Sequence, residues 1–128
     1  MSSQDFRTPL KRVRGLGSAK SGTQHFIVQR VTAVALVPLS LWAIFLALAL
    51  VHADYAPARA MLHHHFAAVW LSAFVIAVFW HAQLGLQVVI EDYVHTPWRE
   101  VVSQLAVKFF CIAGAITSVF AIVRVALA

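Results

Sequence analysis

The segment HAQLGLQVVIEDYVH, from His81 to His95, sets an imidazole inside a stretch apolar enough to cross a bilayer and closes it with Glu91, Asp92 and Tyr93. A neutral imidazole offers a lone pair to a metal or a hydrogen bond to a polar group, and a phenol at a membrane rim can donate a hydrogen bond. Ionisable groups are costly at bilayer depth, so His81 is a functional-site hypothesis in its own right. A helical turn of about 100° per residue puts Gly85, Val88, Val89 and Asp92 on or near the meridian of His81, with Asp92 about 16 Å farther along the axis if the helix persists that far. Gly85, one turn beyond the histidine, removes a side chain where a flat macrocycle lying against the helix would collide. Space beside an imidazole suggests haem, whose iron accepts a neutral histidine as axial ligand and is tuned by the hydrogen bond at the other ring nitrogen. For a lone intramembrane histidine, however, a hydrogen bond to a neighbouring helix is the commoner use.

The elements that must position these residues follow from composition. The chain has 128 residues, of which 61% are hydrophobic and 12% charged, with a mean hydropathy of +0.79. Those values belong to a membrane protein rather than to a soluble domain. Ten Lys and Arg stand against five acids, and six of the ten basic residues lie in the first thirty positions, an asymmetry that reads as membrane topology and not as nucleic-acid binding. A lone cysteine, Cys111, excludes an internal disulfide or a cysteine metal cluster and is expected to be inert, facing lipid or a neighbouring helix.

Three spans are expected, at about 31–51, 66–90 and 102–127, each long enough at about 1.5 Å per residue for the roughly 30 Å hydrocarbon core. Residues 1–24 are expected to be a basic cytoplasmic tail, and 25–128 the membrane domain. Basic residues in the tail outnumber those in the loops, so the N-terminus is expected in the cytoplasm with the loop 91–100, and the C-terminus on the far side. Pro38 falls within the first span, where neighbouring groups can absorb its lost hydrogen bond. Lys108 and Arg124 sit near the ends of the third and can snorkel. Gln83 and Gln87 lie roughly opposite His81 on the second helix and are read as interhelical glue. Trp70, Trp80 and Trp98 are read as packing or interfacial residues. The run His63, His64, His65 resembles a metal tract in composition. Neighbours on one helix point different ways, which argues against a shared metal.

Two separated segments carry a family resemblance. HAxxGxxxVxxDY, here His81, Ala82, Gly85, Val89, Asp92 and Tyr93, resembles the second helix of the hydrophobic membrane anchor subunits of succinate dehydrogenase, respiratory complex II. GLGSAKSGTQHFIVQRVTAVAL, with Gly22, Phe26, Arg30, Thr32 and Ala33, is similar to the start of the first helix in the same family. The fold implied is all-α, three transmembrane helices forming part of a haem-binding bundle with a companion anchor subunit. The activity implied is that of a non-catalytic subunit in electron transfer from succinate to ubiquinone, with succinate oxidised elsewhere in the complex.

The resemblance implies that His81 is one axial ligand of haem b, the other coming from a cytochrome b556-type companion. It also implies that Arg30 lies near the haem propionates or the quinone pocket, that Tyr93 hydrogen-bonds ubiquinone and that Asp92 stands close by. His25 is a weaker candidate of the Arg30 kind. The implied partners are a flavoprotein subunit, an iron-sulfur subunit and the companion anchor, in the bacterial cytoplasmic membrane in preference to the mitochondrial inner membrane. Two other classes stay open: a haem-free structural anchor, and a small transport or ion-conducting subunit with His81, Asp92 and the glutamines along a polar path.

Overall fold

The computed structural model describes residues 8–13 and 22–127, which fold as five helices: α1 (Pro9–Val13), α2 (Gly22–Val51), α3 (Tyr55–His63), α4 (His65–Tyr93) and α5 (Pro97–Leu127). Most of the expected tail lies outside the described residues. Three helices, α2, α4 and α5, are long and apolar enough to cross a membrane. Each runs past the apolar segment that marks it: α2 begins at Gly22 rather than near residue 31, and α5 at Pro97 rather than near residue 102. The reason is that a helix is closed by backbone bonds, which continue through Gln24, His25 and Gln29 regardless of side-chain polarity. Helix length and hydrocarbon thickness are set by different forces.

The breaks have local causes. Pro97 pushes the residue before it out of the helical region and suits the first position of a new helix. Helix α4 therefore ends at Tyr93, where the Val94 N–H bonds the Ile90 carbonyl at 2.9 Å, and α5 starts with the Glu100 N–H on the Thr96 carbonyl at 3.0 Å. Glu100 in that first turn complements the helix dipole. The connection between the first two expected spans, whose residues 52–65 read as a short solvent-facing segment, contains α3. Pro57 fits its first turn, and the Ala58 N–H reaches the Asp54 carbonyl at 3.0 Å. Helix α2 runs through Pro38 without interruption.

Helix α4 is the central element, packed against α2 on one side and α5 on the other, while α3 rests on α4 and α5. Near one end of the α2–α4 seam, Trp42, Phe66 and Trp70 form a ring cluster with centroids 5.4 to 6.3 Å apart. Along the α4–α5 seam Gly114 lies under the Phe79 ring, and Cys111 is buried, which selects the helix-facing placement over the lipid-facing one. Among the described residues, buried side chains are few: Ala67, Leu84, Ile90, Cys111 and Thr32. Most large apolar side chains of the spans, such as Val34, Phe45, Phe110 and Phe120, are exposed on the isolated chain. In a bilayer those surfaces meet lipid or other subunits, so the seams rest on close packing and hydrogen bonds.

Candidate functional site

The rotation of α4 decides the site. Gln83, Gln87, Gln104, Val107 and Lys108 line one narrow gap between α4 and α5, so the opposite meridian, that of His81, turns to α2. There the His81 Nδ1 lies 3.0 Å from the Thr32 hydroxyl, across 49 positions of sequence. The same hydroxyl donates to the Gln29 carbonyl one turn back, at 2.9 Å. Thr32 is 9% exposed, the one buried polar side chain among the described residues. The sequence left a choice between a ligand and an interhelical hydrogen bond for His81. The structure places the interhelical bond at Nδ1, and a second nitrogen, Nε2, takes no hydrogen bond among the described residues.

Beside it, a Cβ added to Gly85 meets nothing within 4 Å. Among the described residues no side chain fills the space next to Gly85, which leaves that face of the helix open to a group from outside. A ring nitrogen held at one side and unbonded at the other, next to such a face, fits a haem ligand by donor chemistry and by space.

Arg30 is exposed, with its guanidinium 5.2 Å from the centroid of the Phe26 ring. Two positions from Thr32 is about 200° around a helix, so Arg30 faces away from the His81 contact. The chain alone does not bring these two candidates together. His25, seven positions before Thr32 and on the same face of α2, has its Nε2 shielded from solvent without a hydrogen-bond partner among the described residues.

Asp92 and Tyr93 end α4 and are exposed. Because the helix persists to Tyr93, the phenol stands about 18 Å along the axis from His81. Tyr93 lines a surface cavity of about 540 Å³ with His95, Thr96, Trp98, Arg99 and Ser103, within the size range of small-molecule pockets. Arg99 lies over the Trp98 ring at 5.3 Å. Asp92 is not among the lining residues.

Sequence reasoning passed over Thr32 as a participant, along with His95, Arg99 and Ser103. The available clue to Thr32 was a hydroxyl in an apolar span, yet such hydroxyls commonly bond only their own helix. Gln87, expected to bond between helices, instead donates its amide N–H to Glu91 at 2.8 Å within α4. Gln104 does the same to Glu100 at 3.3 Å within α5. Of the histidine run, His63 accepts from the Arg59 Nε at 2.9 Å, and His64 accepts from the Phe66 N–H as the cap of α4. Two neighbours thus serve separate local contacts. Among the described residues, no three His, Cys, Asp or Glu side chains are grouped to hold a metal ion.

Comparison with known proteins bears on this arrangement. Residues 4–120 match the profile of a family described as "Succinate dehydrogenase/Fumarate reductase transmembrane subunit". A "Succinate dehydrogenase hydrophobic membrane anchor subunit" of Rickettsia bellii is 36% identical over 118 residues, 92% of this chain and 94% of the relative. The protein of that description from Rickettsia conorii is 34% identical over 119 residues, with 92% and 94% covered. A "Succinate dehydrogenase membrane anchor subunit" of Reclinomonas americana is 28% identical over 98 residues, 73% of this chain and 80% of the relative. No solved structure matches the chain. With a match along most of its length and three apolar helices, the middle one packed between the other two, this chain belongs to the succinate dehydrogenase/fumarate reductase transmembrane subunit family.

Proposed function

We propose that this chain is a hydrophobic membrane anchor subunit of a succinate:ubiquinone oxidoreductase, that it holds one side of a haem b through His81, and that it lends Tyr93 to a ubiquinone-reduction site. The anchor role is supported by two relatives of that description covering 92% of the chain. The observation that carries the haem reading is His81 itself, bonded at Nδ1 to Thr32 with Nε2 left over and open space at Gly85. The partners are a flavoprotein subunit, an iron-sulfur subunit and a companion anchor supplying the second axial ligand. The exposed apolar faces of the three spans offer that companion its surface. The orientation that fits the basic residues puts the N-terminus and the Tyr93 cavity on the cytoplasmic side of a bacterial membrane.

Quinone reduction needs two electrons, two protons and donors that hold the carbonyl oxygens. A bound haem supplies one-electron storage at bilayer depth. Tyr93 donates its O–H to a quinone carbonyl, and the cavity walls of His95, Thr96, Arg99 and Ser103 surround the head group. Asp92, exposed one residue earlier, stands where it can pass protons in from water.

The experiment is to purify the complex through this subunit from its native membrane and record a reduced-minus-oxidised spectrum. A b-type band present in the parent and absent in His81→Ala is the expected result. A complex that assembles with succinate oxidation intact but shows no b-type band removes the haem and leaves the anchor. A chain that purifies alone removes the anchor as well.

A further inference from the structure

We infer that Thr32 is a positioning residue for haem, fixing His81 in the tautomer that carries its proton on Nδ1 and presents the Nε2 lone pair to the iron. The inference rests on the reading of His81 as a haem ligand and adds to it the reason that one ring nitrogen is available.

A threonine hydroxyl has one hydrogen and two lone pairs. At Thr32 the hydrogen is committed to the Gln29 carbonyl, at 2.9 Å, so toward the imidazole 3.0 Å away the oxygen is left as an acceptor. The matching donor is Nδ1–H. A neutral imidazole carries one proton between its two nitrogens, and a proton on Nδ1 leaves Nε2 as a bare lone pair. The relay is therefore directional: Nδ1–H to Thr32, Thr32 O–H to Gln29. The Gln29 carbonyl is a reliable end to it, because a backbone carbonyl cannot donate. Thr32 is buried, which keeps water from competing for His81. Beyond the proton, the bond fixes the plane of the ring, and an acceptor at Nδ1–H makes Nε2 a stronger donor to a metal.

The relay is tested in the intact complex with Thr32→Val, which keeps the branched shape and removes the hydroxyl, and Thr32→Ser, which restores it. The expected result is that Thr32→Val holds haem about 10–100-fold more weakly, as partners of metal-ligating histidines generally do when removed, measured by transfer of haem to apomyoglobin. The haem that remains should have a raised midpoint potential, because a weaker donor stabilises ferric iron less. Thr32→Ser should match the parent in both measurements.

Thr32→Val with unchanged haem retention and potential overturns the inference, and loss of haem in His81→Ala in the same series leaves the ligand reading intact. Thr32→Ser as defective as Thr32→Val also overturns it, since the hydroxyl would then not be what matters. A parent complex without a b-type band overturns both readings. One measurement needs no variant and covers a Thr32→Val that does not assemble: nitrogen-15 NMR of histidine-labelled parent complex, reduced so that low-spin haem iron is diamagnetic. A proton on Nδ1 of His81 is expected, and an unprotonated Nδ1 defeats the inference.

Discussion

Phe79 of α4 and Gly114 of α5 are packed so closely that a Cβ at position 114 would lie 2.6 Å from both Cε1 and Cζ of the ring. Between membrane helices, where hydrophobic driving force is weak, such an approach of a small residue to a large one supplies much of the packing. Gly114→Ala is expected to destabilise the α4–α5 pair by about 1–3 kcal/mol, the usual cost of overpacking, in detergent unfolding of the purified protein. Phe79→Leu made with it should recover most of that loss. Equal losses with and without Phe79→Leu would show that the two residues are not coupled.

Gly85 presents the opposite case, since nothing lies within 4 Å of a Cβ there. Gly85→Ala should leave the fold as stable as the parent or raise stability by up to about 1 kcal/mol, the helix-propensity difference. Gly85→Leu should still assemble but lose the b-type band. Full haem content in Gly85→Leu would mean that the open face at this position is not the one haem occupies.

Tyr93 carries the quinone proposal. Loss of one hydrogen bond of about 0.5–1.5 kcal/mol predicts that Tyr93→Phe slows succinate:ubiquinone turnover by up to about tenfold. Reduction of an artificial acceptor by succinate, which bypasses the membrane site, should not change. The two activities falling together would locate the defect in assembly instead.

The Trp42 ring meets Phe66 edge to face and Trp70 at a tilt. With each aromatic pair contributing about 0.5–1.5 kcal/mol, Trp42→Leu is expected to cost about 1–3 kcal/mol in thermal unfolding. Trp98→Leu, which removes an exposed ring over which Arg99 lies, should cost less than about 1 kcal/mol. A reversal of that order would contradict the placement of the ring cluster at the α2–α4 seam.

The sequence makes the three spans legible because backbone groups in hydrocarbon must bond one another, which makes long uncharged runs helical. The ends of α2 and α5 were less legible, since helical bonding carries on through residues such as Gln29 and Trp98 that polarity scales place outside the core. Helix α3 was hidden for a similar reason: Asp54, Pro57 and Arg59 look like loop residues, yet aspartate and proline are also what a helix start accepts. Gln83 and Gln87 were placed on the far side of α4 from His81 by periodicity alone, and they do line the α4–α5 gap. What they bond was not legible, because an amide reaches one turn along its own helix as easily as it reaches a neighbour.

The sequence by itself determined that this chain lives in a membrane, that His81 and Gly85 share one face of a helix, and that Asp92 continues that face wherever the helix persists beyond the span at 66–90. Those properties are local, set by residue type and helical period. Only the tertiary structure decided that the face turns toward α2 and meets Thr32, 49 positions away. Periodicity says which residues share a side of a helix and nothing about which helix lies opposite. That depends on how α4 packs between its two neighbours, with Phe79 against Gly114 on one flank and His81 against Thr32 on the other.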